Sequence, residues 1–134
     1  MKTVRAVFIG IVLSLVGCES ATAPEPDPPP PSATIDIRGG SWAECTNYSF
    51  GENTCHFIGE GRNLGPSCIV GVRGVTRFQS DGTQIGPTYE WSLPLGRVIA
   101  PNEAFTYRVM NVPRHIVDGT SQFTTEVNSG AVHC

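Results

Sequence analysis

The chain has 134 residues, enough for one folded domain with short appendages. It carries nine basic and twelve acidic residues, for a formal charge of −3. The arginines are scattered, so nucleic-acid binding, which needs a clustered positive footprint, is excluded, as is polybasic attraction to anionic lipid headgroups.

In chain order, Lys2 and Arg5 give a short positive region, and the run AVFIGIVLSLV over residues 6–16 gives an apolar stretch. Together they read as a signal peptide over residues 1–17. The apolar run, about eleven residues, is shorter than the roughly twenty that a membrane-spanning helix needs. Leu15, Val16, Gly17 and Cys18 resemble the lipobox of bacterial lipoproteins. That resemblance implies cleavage before Cys18, with a diacylglycerol thioether on Cys18 and an acyl chain on its new amino group. Two or more acyl chains suffice for stable membrane anchoring. Glu19, where an aspartate would point to inner-membrane retention in enteric bacteria, favours the outer membrane in a diderm cell. The mature chain would keep seven arginines against twelve carboxylates, a formal charge of about −5.

Lipidation of Cys18 leaves Cys45, Cys55, Cys68 and Cys134. An even number of cysteines in an exported chain reads as two disulfides in an oxidising compartment. Three connectivities are open, and sequence alone does not select among them. The preferred one closes a local loop through Cys45–Cys55 and ties Cys134 back to Cys68.

Residues 18–33 form the lipidated cysteine and a proline-rich linker, ESATAPEPDPPPPSA after Cys18. Proline fixes φ and lacks a donor, so the run supports neither helix nor sheet. It is expected to be an extended tether, at about 3 Å per residue. Residues 34–134 are expected to fold as one domain. TIDIR puts Ile35 and Ile37 on one face of a strand, and a Gly-, Ser- and Asn-rich region between Arg38 and Asn53 reads as a loop holding Trp42, Tyr48 and Phe50. Residues 54–62 read as a strand with Cys55, Phe57, Gly59 and Gly61 on one face, and residues 68–78 as a β-branched strand. Asp81–Gly82 marks a turn, and Pro87 makes the returning strand an edge or an interrupted one. Phe105, Tyr107 and Val109, then Phe123, Thr125 and Val127, repeat the period of two. No helical period is present, so the expected fold is all-β, a sandwich of about seven short strands stapled by two disulfides.

The segment IGEGRNLGPSCIVGVRGVTRFQSDGTQIG resembles the FxLYD-type immunoglobulin-like domains of bacterial surface proteins. The matching positions are Gly59 to Asn63, the strand from Ile69 to Phe78, and the Asp81–Gly82 turn. Pro101 and Phe105 match a later element of that family, with Asn102 in place of a glycine. The Leu-Tyr-Asp signature is replaced by RFQSDG, and the cysteines are additional. The resemblance implies an immunoglobulin-like sandwich used as an adhesive or spacing module without a family active site.

Residue chemistry points the same way. His56 and His133 adjoin Cys55 and Cys134, but neighbours on a strand point to opposite faces, so a shared metal site is not expected. GPSC over residues 65–68 is not a strained nucleophile turn. GEGRNLG lacks the Lys-Ser/Thr of a phosphate loop, and its glycines suit close strand packing. No enzyme, metal or cofactor is expected. The candidate binding residues are the aromatics Trp42, Tyr48, Tyr89 and Trp91, able to stack on a glycan or anchor a protein, and Arg73 and Arg77, able to meet an anionic partner. The expected role is a non-catalytic interaction or structural module of the cell envelope. The alternatives are a carbohydrate- or small-ligand-binding accessory domain and a small inhibitor or accessory subunit of an envelope enzyme.

Overall fold

The computed structural model describes residues 24–47, 51 and 53–134. The expected signal segment, Cys18 and Tyr48 lie outside the described residues. Residues 24–34 have no regular structure, as their prolines require. Seven strands follow: β1 (Ile35–Ala43), β2 (Thr54–Asn63), β3 (Cys68–Ser80), β4 (Thr83–Ser92), β5 (Val98–Ile99), β6 (Ala104–Pro113) and β7 (Gln122–Val132). One short helix, α1 (Arg114–Gly119), joins β6 to β7.

The strands make two antiparallel sheets. One has the order β1-β2-β6. In the other, β3 is central, with β4 and then β5 along one edge and β7 along the other. The inner faces pack into a core of Phe57, Ile69, Phe78, Trp91, Phe105 and Tyr107 with smaller aliphatics. This is the all-β, two-sheet sandwich that the period-two pattern requires.

Each end of the sandwich has its own staple. At the end where residues 24–34 arrive, Cys68 is joined to Cys134. There Asn63, fully buried, donates from Nδ2 to the Ser67 and Ile99 carbonyls, while its Oδ1 accepts from the Gly65 amide. Leu64 N–H donates to the Thr34 carbonyl and Ser32 N–H to Ser67 Oγ, so the incoming segment is pinned to this end. At the opposite end Cys45 is joined to Cys55, beside Arg114 of α1. Two disulfides fit an oxidising, extracytoplasmic compartment.

Glycines on the inner faces are explained by the rings opposite them. Gly59 pairs with Tyr107, Gly61 with Phe105 and Gly74 with Trp91. A Cβ at any of the three would run into its partner's ring. An aromatic side chain thus reaches over each glycine, covering backbone that a strand glycine otherwise leaves bare.

Three expectations need correction. β1 continues through Gly39, Gly40 and Trp42, which the sequence assigned to a loop. A bulge between Ile37 and Gly39 absorbs the glycine pair, and the Phe57 ring occupies the space over Gly40. A helix is present where none was expected: α1, a single helical stretch of six residues. Its length is too short to leave a helical period in the sequence. β5 was unforeseen, and two residues carry too little pattern to find. Elsewhere the reading matches: Asp81 (φ 48°) and Gly82 (φ 81°) make the two-residue hairpin turn between β3 and β4, and β4, with Pro87, pairs only with β3.

Candidate functional site

The aromatic candidates divide by location. Trp91 is a core residue, 6% exposed. Its ring stacks on Tyr107 with centroids 4.1 Å apart and an interplanar angle of 14°. Its indole N–H donates to Thr76 Oγ1 at 3.0 Å. Thr76 and Thr125 share a hydrogen bond at 2.9 Å, and Thr125 shares another with the Tyr107 hydroxyl at 3.0 Å. Four strands therefore meet in one closed polar chain, and Trp91 has no face left for a ligand. The physical reason is Gly74, whose missing side chain makes the slot that the indole fills. Burial raises the Tyr107 pKa, and its hydrogen bonds with Thr125 and Thr76 act in the opposite direction.

Tyr89 is half-buried, with its ring 5.5 Å from Phe78. Desolvation by burial raises its pKa, and its hydroxyl is buried without a partner among the described residues. Trp42 is half-buried on β1, packed edge-on to Phe57 at 5.2 Å and tilted over Phe78 at 4.9 Å. Trp42, Tyr89 and Trp91 all pack on core rings, so they do not combine into an exposed platform.

The arginines do share a surface. On the outer face of the β3 sheet the register sets three rows across the strands. Ser92, Arg73 and Asn128 form one row, and Glu90, Val75 and Glu126 the next. Arg77, paired with Thr124, lies in the third. Arg77 Nη1 meets Glu126 Oε2 at 3.3 Å, an exposed pair of little energetic weight. Arg73 has no ion pair among the described residues. A shallow cleft of about 450 Å³ lies over the first two rows, bounded by Arg73, Glu90, Ser92 and Asn128. These groups can hydrogen-bond a polar ligand. They do not assemble a nucleophile with a base.

The end bearing Cys45–Cys55 holds a cluster that the sequence did not single out. Arg108 grips Glu44 through two nitrogens at 3.0 and 3.4 Å. His56 Nε2 lies 3.7 Å from the same carboxylate, and its Nδ1 accepts the Asn111 amide at 3.1 Å. With Nδ1 engaged by backbone, the neutral ring keeps its proton on Nε2 and has no free nitrogen to act as a base. Only the strand pairing brings residues 44, 56 and 108 together, so no local signal in the sequence could mark them. Cys55 and Cys134 lie at opposite ends of the sandwich in different disulfides, so the two Cys-His dipeptides do not meet. Among the described residues no group of three or more His, Cys, Asp or Glu side chains could hold a metal.

No family model matches the chain, and no curated protein or solved structure does either. The fold therefore stands on its own geometry as a small, disulfide-stapled, all-β domain.

Proposed function

We propose that the protein is a lipid-anchored, non-catalytic module of the bacterial cell envelope, held by Cys18 and presenting its sandwich to a protein partner. The observation that carries this reading is the cysteine arithmetic. Five cysteines are present, four are consumed in two disulfides, and the remaining one is Cys18, directly after an apolar run and the Leu-Val-Gly tripeptide. Disulfides form and persist in oxidising compartments outside the cytoplasm, and an odd cysteine at that position has lipidation as its simplest use. The proline-rich residues 19–33 then act as a spacer that holds the domain off the membrane. The pinning of residues 32 and 34 to one end leaves the Cys45–Cys55 end and the lateral faces directed away from it.

Globomycin treatment of cells making the protein should accumulate a precursor larger by the signal segment, and Cys18→Ser should abolish palmitate incorporation. Unchanged processing and no incorporated label in the parent chain would remove the anchor.

A second reading, a small-ligand-binding accessory domain, is favoured by the cleft over Arg73. It predicts glycan or anion binding that Arg73→Ala weakens at least tenfold, read on a glycan array and by calorimetry.

A further inference from the structure

The two lateral seams of the sandwich differ. Between β4 and β6 the Trp91–Tyr107 stack fills the gap between the sheets. Between β1 and β7 the gap is open. Two clefts of about 260 and 380 Å³ run along it, one beside Ile35, Ile37, Val127 and Ser129, the other beside Trp42 and Phe123.

Three observations on this seam point to one kind of occupant. First, β7 pairs with β3 alone, so its other edge presents main-chain donors and acceptors with no strand partner among the described residues. Second, β7 lacks the usual protection of an edge. It runs eleven residues without a proline, and its one charged side chain, Glu126, faces Arg77. β4 carries Pro87 and a left-handed Gly86, and β1 is broken by a bulge. Third, no charged residue among the described ones lines either cleft of the seam, whereas the clefts beside Arg73, Arg38 and Arg97 each have an arginine and a glutamate. The Ser129 hydroxyl in the seam is buried without a hydrogen-bond partner.

We infer that the β1/β7 seam is a strand-acceptor site. An extended, uncharged segment of a partner protein, apolar at alternate positions, pairs with the free edge of β7 and lays those side chains on Ile35, Ile37 and Val127. Main-chain pairing supplies affinity and the apolar clefts supply specificity. The length of β7 accommodates a segment of about eight residues. A second copy of the chain does not fit: edge-to-edge pairing of two β7 strands turns each copy's apolar side chains into its own seam and leaves the clefts unfilled. The chain's own proline-rich segment lacks the donors that pairing needs. The inference deepens the reading of the domain as an interaction module and is independent of the anchor, whose failure would show in precursor processing alone.

The test pans a phage-displayed library of random nine-residue peptides against the purified mature chain with both disulfides intact. Enriched peptides should alternate apolar and uncharged polar residues. A synthetic copy should slow exchange of alternate β7 amides at least tenfold, and Val127→Arg should weaken its binding at least tenfold. Circular dichroism and free-thiol titration check that the variant is folded. Ser129→Arg, at a half-buried position of the same seam, serves if Val127→Arg does not fold. The inference is overturned if no peptide is enriched, if protection falls on another strand, if both folded variants bind normally, or if the chain alone dimerises and so protects β7.

Discussion

The two seams of the sandwich use similar residue types to opposite ends. At the β4/β6 seam, Trp91 and Tyr107 stand over glycines, stack on one another and close their polar tips through Thr76 and Thr125. Every donor of that chain is used, and the two rings leave no gap between them. At the β1/β7 seam, Trp42 and Phe123 are only half-buried, and Ser129 ends without a partner. A buried polar group without a partner costs about 1–3 kcal/mol, so Ser129 is left unsatisfied where the Trp91–Tyr107 chain is complete, and the Tyr89 hydroxyl on β4 is another such group. One seam holds the fold together and the other has room to bind.

That contrast can be broken most forcefully at Trp91. Trp91→Ala empties a packed slot and removes the indole hydrogen bond to Thr76, and should cost about 3–5 kcal/mol in urea unfolding. Replacing Cys68 and Cys134 together opens a span of 66 residues and should cost about 4 kcal/mol, whereas the ten-residue span of Cys45–Cys55 should cost about 3 kcal/mol. Paired denaturant melts give the order directly.

Smaller effects sharpen the contrast. Tyr107→Phe removes one hydrogen bond from the closed chain and should cost about 1 kcal/mol. The raised Tyr107 pKa also sets a pH dependence. Its folded value lies above the unfolded one, so the stability tied to the protonated phenol is complete below about pH 10 and is lost as the pH climbs through the folded value. Urea midpoints between pH 8 and 11 should fall at the alkaline end, less steeply in Tyr107→Phe. The smallest change is expected at the open seam, where Val127→Ala should cost about 1 kcal/mol or less because its side chain is only half-buried. An effect as large as that of Trp91→Ala would mean that the seam is closed in solution.

Much of this fold was legible in the sequence. Four of the inward residues of β2, Cys55, Phe57, Gly59 and Gly61, are visible as strict alternation, and the Asp-Gly turn fixes the β3–β4 hairpin. The preferred cysteine pairing is the one the structure shows. Illegible parts depend on partners distant in the chain. Gly39 and Gly40 read as a loop because the Phe57 ring that covers Gly40 is invisible locally. Trp91 stood as a candidate for binding because its slot is made by Gly74 from another strand. Alternation also cannot say whether an edge has a neighbour, so the open side of β7 emerges only from topology. Arg73 and Arg77 were legible as candidates for an anionic partner, but the companions that make a cleft beside Arg73, Ser92 and Asn128, come from β4 and β7.

Residue-resolved hydrogen exchange on the purified chain tests the contrast most directly. The account predicts a two-residue rhythm along β7, in which amides directed at β3 exchange slowly and alternate ones directed into the seam exchange quickly. The Trp91 indole N–H should be protected to the limit of global unfolding. Uniform slow exchange along the whole of β7 would contradict the account, because it would mean that the edge is already covered.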